Sequence, residues 1–157
     1  MALLEANNDR KKLRGQLLWF LFWCAITAVG AYLTPDKSGH GTHRELGLPP
    51  CPSVLLFDRP CPGCGLTTSW TAFIHGQFGA AFHAHPLGPL LYLLFTASAF
   101  IALYGWFKRL RFSTDSHEFN RIMIVTVVIF LGFGVTRMAL TPHFGTDSEH
   151  WSALIGK

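Results

Sequence analysis

Three of the four cysteines lie near one another in the chain, in the pattern Cys51-x9-Cys61-Pro62-Gly63-Cys64-Gly65. A Cys-x2-Cys spacing brings two thiolates close enough to share one metal ion or to form one disulfide. Cys51 is the candidate third donor. Structural zinc takes four ligands, and a histidine can supply the fourth. His40, His43, His75, His83 and His85 all flank the cysteines, and none has a spacing that singles it out. A second chemistry is open to the same residues. Cys61-Pro62-Gly63-Cys64 precedes a predicted helix, whose N-terminus would favour a thiolate. That pattern suits thiol–disulfide exchange with Cys51 as resolving partner. No βαβ pattern surrounds it, which excludes a thioredoxin fold. A third possibility leaves the thiols free and merely packed.

The elements that hold these residues are hydrophobic. Of 157 residues, 50% are hydrophobic and 14% charged, where soluble domains carry about 25% charged residues. The mean hydropathy is +0.30. A bilayer core of about 30 Å needs about 20 helical residues, and three stretches meet that length: about 16–34, 86–107 and 121–140. The expected fold is therefore a single all-α integral membrane domain over 1–157, with three transmembrane helices. Arg10, Lys11, Lys12 and Arg14 ahead of the first stretch resemble the start of a signal peptide. The apolar part is long for one, and no small-x-small cleavage site precedes Pro35, so it is read as a retained helix.

Lys and Arg set the orientation. Arg10, Lys11, Lys12, Arg14, Lys108, Arg109, Arg111 and Arg121 fall on one side of three spans. This predicts a cytoplasmic N-terminus, a cytoplasmic loop over 108–120, an external C-terminus and an external Cys/His segment over 35–85. The net charge of +4 punctuates apolar runs instead of forming a patch, so the expected partners are the lipid bilayer and other membrane subunits, with no nucleic acid.

After the cysteines, Trp70, Phe73, Ile74 and Phe78 share one helical face, and Thr68, Thr71 and His75 the other. This predicts an amphipathic helix near 66–75, lying on the membrane or dipping into it as a re-entrant segment. Gly76 and Gly79 are expected to break it. Pro86 is expected to open the second span, where its missing N–H does no harm. Arg137 stands late in the third span. Either it snorkels to the interface, or it reaches the Cys/His segment and its carbonyl groups. Cys24 reads as a packing residue. Trp19, Trp23, Tyr32, Tyr92, Tyr104, Trp106 and Trp151 read as interfacial anchors, and Ser98 and Ala102 as a small-xxx-small contact. His117, His143 and His150 read as solvated. No G-x-S-x-G, His-Glu-x-x-His, phosphate loop or carboxylate pair is present, so hydrolase, kinase and proton-pump chemistry have no residues to work with.

Residues 50–140 resemble an uncharacterised, domain-of-unknown-function family of small bacterial membrane proteins. The residues that carry the resemblance are Cys51-Pro52, Cys61-Pro62-Gly63-Cys64-Gly65-Leu66-Thr67, His75-Gly76-Gln77-Phe78, Pro86-Leu87 and Arg137. The family signature is Cys-Pro-x-Cys-Gly-Leu/Met-Thr-Arg, then a Gly-Asp step, then Asn-Pro-Leu. This chain departs from it at Thr68, Gln77 and His85, each of which alters a polar group near the cysteines. His85 in place of Asn makes sense if it ligates a metal. The resemblance implies structural roles for Gly65, Thr67, Gly76, Pro86 and Arg137 and a bacterial inner-membrane location. It implies no reaction.

The sequence thus predicts a small integral membrane protein, a non-catalytic accessory subunit. Its external segment would be pinned by zinc or a disulfide at Cys51, Cys61, Cys64 and His85. The alternative is a membrane thiol–disulfide or metal-dependent redox protein using Cys61-Pro62-Gly63-Cys64.

Overall fold

The computed structural model describes residues 4–6, 10–49, 51–112 and 117–141. Three of its helices are long and apolar enough to cross a membrane: α1 (Arg10–Tyr32, apolar from Leu13), α5 (Gly88–Lys108) and α6 (His117–Leu140). At 1.5 Å per residue each reaches about 30 Å or more. They match the three predicted spans, with shifted ends. The first begins within the basic cluster, because Arg and Lys are good helix formers. The second begins at Gly88 because Pro86 occupies a turn: the Gly88 amide donates to the His85 carbonyl at 2.8 Å. Pro89, in the first turn of α5, takes the place expected of Pro86.

Helices α1 and α5 pack antiparallel, and polar atoms hold their register. The indole N–H of Trp19 donates to Ser98 Oγ (3.1 Å) and that of Trp23 to Thr96 Oγ1 (3.0 Å). Thr27 and Tyr92 share a hydroxyl bond of 3.0 Å. Trp19 and Trp23 also make edge contacts with Phe95 and Phe100. These tryptophans thus join two helices, a role the interfacial-anchor expectation missed. Ala99 and Ala102 are buried in the seam, where small side chains let backbones approach.

At the end where α1 begins, the chain adds a feature outside the all-α expectation. A short antiparallel ribbon pairs β1 (Leu4–Ala6) with β2 (Leu110–Phe112), Leu4 opposite Phe112. Buried Gln16 ties α1 to it, donating from Nε2 to the Leu110 carbonyl at 3.1 Å.

Helix α6 stands differently. Its apolar side chains are exposed nearly all round, as with Ile124 (60%) and Val128 (62%), the pattern of a helix meant for an apolar surround. Among the described residues, only the stripe Phe119, Thr126, Phe130, Phe133, Gly134, Arg137 and Met138 is covered. Its later part, Phe130 to Met138, rests on the cysteine turn, Arg59 and His85; among the described residues, α6 runs along none of the other helices.

The segment joining α1 to α5 folds over the opposite end of the bundle. It contains a 3-10 helix (Thr42–Leu46), α2 (Pro52–Phe57), α3 (Leu66–Ile74) and α4 (Phe78–Ala84). Helix α3 wedges between α1 and α5: Ile74 meets Gly30, and the Trp70 ring stacks against Phe95 and donates to the Gly88 carbonyl at 2.9 Å. Of the face read as its polar side, Thr68 and Thr71 are buried, and so is Ser69 beside them. Two of the hydroxyls are satisfied inside, Thr68 by Thr42 Oγ1 (2.9 Å) and Ser69 by the His85 carbonyl (3.3 Å). Gly76 (φ +72°) ends α3 as expected, but Gly79 lies within α4 and breaks nothing. His143, His150 and Trp151 lie outside the described residues.

Candidate metal centre on the cysteine turn

Two tight turns bring the sulfurs together. Cys51 is the N-cap of α2, with Pro52 at the first helical position. Helix α2 ends at Asp58, whose left-handed backbone (φ 50°) reverses the chain. Ser53 Oγ donates to the Arg59 carbonyl at 3.1 Å and fastens that reversal. Cys61 and Cys64 then close a single turn, the Cys64 amide donating to the Cys61 carbonyl at 3.0 Å. The result is three Sγ atoms within 4.8 Å of one another. Tetrahedral zinc, with Zn–S about 2.3 Å, spaces its sulfurs at about 3.8 Å, so the triangle needs only a slight closure to hold one ion. Cys24, in the middle of α1, takes no part.

Gly65 makes the turn possible. It is the N-cap of α3 at φ +83°, and a Cβ there would run into the carbonyl oxygens of Ala84 and Gly39. No other residue fits both constraints. Thr67, beside it, is exposed and lines the cleft over the sulfurs. That cleft has a volume of about 330 Å³; its walls include His40, His43, Arg44 and Thr68, with no carboxylate among the described residues that line it.

The thiols differ in acidity. Burial pushes Cys51 up, but the Val54 and Ser53 amides and the neighbouring thiols outweigh it, so Cys51 sits below an ordinary thiol. Burial and the adjacent Cys51 push Cys61 up. Burial, then the charges of Cys61 and Cys51, push Cys64 up to about 12. The acidified thiol is thus the one at the start of α2. The helix after Cys-x2-Cys gives neither Cys61 nor Cys64 the low value a redox nucleophile needs. A bound divalent ion would deprotonate all three.

The surrounding residues clamp the turn from below. Arg137 donates from Nη1 to the Cys64 carbonyl (2.7 Å) and from Nη2 to the Ala84 carbonyl (3.1 Å). Of the two expected courses, it takes the one toward the Cys/His segment. A divalent ion held by three thiolates would carry net charge −1, which this guanidinium would offset. Arg59 Nη1 reaches the Met138 carbonyl at 3.3 Å, and Gly134 seats Pro62 so closely that a Cβ would collide with it.

His85, proposed from sequence as a ligand, is fully buried but does not join the sulfur cluster. Its Nε2 donates to the Pro62 carbonyl at 3.1 Å, and its ring packs on Phe130 and Phe133. Burial and then Arg137 lower its pKa, against the pull of Pro62, which keeps it neutral. Its Nδ1 has no partner. Pro86 follows in the turn before α5. Arg59, Phe130, Phe133 and Gly134 were not expected at the site. The one signal for them was the small residue Gly134 within a span, of the kind that permits close approach.

Residues 51–99 match the family model described as "Protein of unknown function (DUF2752)". The match takes in the cysteine turn, α3, α4 and the first half of α5, and the likeness anticipated over residues 50–140 is thereby found over its first part. No curated protein and no solved structure matches the chain.

Proposed function

We propose that this chain is a non-catalytic accessory subunit of the bacterial inner membrane, with an external segment knotted by zinc at Cys51, Cys61 and Cys64. Its N-terminus is cytoplasmic and its C-terminus external, following the Lys and Arg bias. Its partners are the bilayer and other membrane subunits. The observation that carries the reading is the sulfur triangle, three Sγ atoms within 4.8 Å, on a turn that Arg137 grips from α6. Three soft donors at that spacing favour a thiophilic ion such as zinc. A metal there gives rigidity to a segment that otherwise has only short helices. The knot would present a fixed surface to a neighbouring subunit.

The redox alternative lacks such support, because Cys61 and Cys64 are both shifted away from the thiolate. Elemental analysis of the detergent-purified chain, with thiol counting before and after chelation, tests the proposal. The expected result is one zinc per chain and three thiols that react only once the metal is stripped. A metal-free chain with reactive thiols, or one with a disulfide among the three, overturns it. An impermeant maleimide applied to intact, chelator-treated cells tests the orientation, and labelling only after lysis refutes it.

A further inference from the structure

Three sulfurs leave a structural zinc ion one ligand short, and the described residues place no fourth donor in the cluster. The cleft above the sulfurs supplies the candidates, since His40 and His43 both line it. They are held differently. His40 Nδ1 bonds the carbonyl of Ser38 at 3.2 Å, within its own loop, and its ring lies near the Asp36 carboxylate. His43 Nε2 bonds the carbonyl of Pro49 at 3.2 Å, two residues before Cys51. A carbonyl only accepts, so Nε2 carries the proton and the lone pair of the neutral ring is on Nδ1. A metal-ligating histidine commonly has one ring N–H on a backbone carbonyl and the other nitrogen on the metal; both rings meet that condition, but His40 is tied back to its own loop, whereas His43 is tied to the residues leading into Cys51.

We propose that His43 is the fourth ligand, binding through Nδ1 to close a Cys3His site with Cys51, Cys61 and Cys64. The inference rests on the metal reading above and names the ligand it leaves open. The donor order is then His43-x7-Cys51-x9-Cys61-x2-Cys64. The ring must turn onto the ion from its present place, and the cleft of about 330 Å³ gives it room. The same movement joins the 3-10 helix Thr42–Leu46 to the cysteine turn, so that one ion fastens both halves of the connecting segment. His85, by contrast, stays with Pro62 and the rings of α6.

X-ray absorption at the zinc edge of the zinc-loaded full chain in detergent tests this. The expected shell is three sulfurs at about 2.3 Å and one nitrogen at about 2.0–2.1 Å, with outer-shell scattering from an imidazole. His43→Ala should lose the imidazole scattering and weaken zinc binding roughly tenfold or more. His43→Cys should restore tight binding with an all-sulfur shell, which also shows that the fold survives changes at this position. His40→Ala should leave the shell intact. Imidazole scattering that persists in His43→Ala overturns the proposal, as does a native shell of sulfur and a light atom without imidazole. Both outcomes leave the metal reading standing. A native chain that binds no zinc refutes that reading and this inference together.

Discussion

The guanidinium of Arg137 and the carbonyl of Cys64, separated by 73 positions in sequence, are joined by a 2.7 Å hydrogen bond. The same side chain reaches Ala84 at 3.1 Å, so one residue of α6 fixes both the end of the cysteine turn and the end of α4. Among the described residues α6 runs along no other helix, and this bond and its neighbours hold its C-terminal part. The thiol site and the position of α6 are therefore one structural problem.

Removing that grip should be costly. Arg137→Ala leaves the Cys64 and Ala84 carbonyls without their donor, and bonds to a charged group are worth about 1.5–3 kcal/mol each. A loss of about 3–6 kcal/mol is expected, read as a lower Tm in detergent. Arg137→Lys should recover only part of it, since one ammonium lacks the fork that spans two acceptors. A neutral Arg137→Ala would mean that the side chain does no more than snorkel.

Metal removal should act on the same elements. Chelation is expected to lower Tm, and Cys51→Ser, Cys61→Ser and Cys64→Ser should each lower it by a similar amount. The double variants should be little worse than the singles, because residues serving one site are not additive. Chelator treatment of any of these variants should then have no further effect. Thermal unfolding with and without chelator distinguishes this from three independent packing losses, which would add.

Gly65 offers a backbone test. Gly65→Ala places a Cβ against two carbonyl oxygens at a positive φ, and a cost above about 2 kcal/mol is expected from strain and collision together. Gly63→Ala is the control: Gly63 is exposed, and nothing lies within 4 Å of its Cβ position. Its Tm should stay within about 0.5 kcal/mol equivalent of the parent. Equal effects at the two positions would remove Gly65 from its structural role.

Much of this molecule was legible in its residues, and the illegible part has a physical pattern. The three spans could be read because lipid demands uninterrupted apolar helices, a local property of the chain. Cys61 and Cys64 could be paired because two intervening residues leave them nowhere else to go. The inward face of α3 could not be read. Thr68 and Ser69 look like part of a water-facing side until Thr42 and the His85 carbonyl arrive to satisfy them. The indoles of Trp19 and Trp23 likewise read as anchors, because their acceptors Ser98 and Thr96 lie on another helix. The position of His85 was set by Phe130, Phe133 and Pro62, all distant in sequence. Local pattern identified the elements, and long-range partners decided which way each one faced.

The thiols themselves give the last prediction, made for the metal-free chain. An alkylating agent attacks the thiolate, so the rate at each cysteine rises with pH through that group's own pKa. Cys51 lies below the ordinary value because the amides at the start of α2 and the neighbouring thiols outweigh its burial. Cys64 is pushed to about 12, chiefly by burial. Modification mapped by mass spectrometry across pH 6–10 should therefore begin at Cys51, with Cys61 later and Cys64 last. Cys64 should remain largely unmodified at pH 10, because its thiolate fraction there is about one in a hundred for a pKa near 12. Adding zinc should flatten all three profiles, because the metal removes the protons at every pH where it stays bound. Attack that starts at Cys61 would instead restore the Cys-x2-Cys pair as the reactive unit and bring the redox reading back.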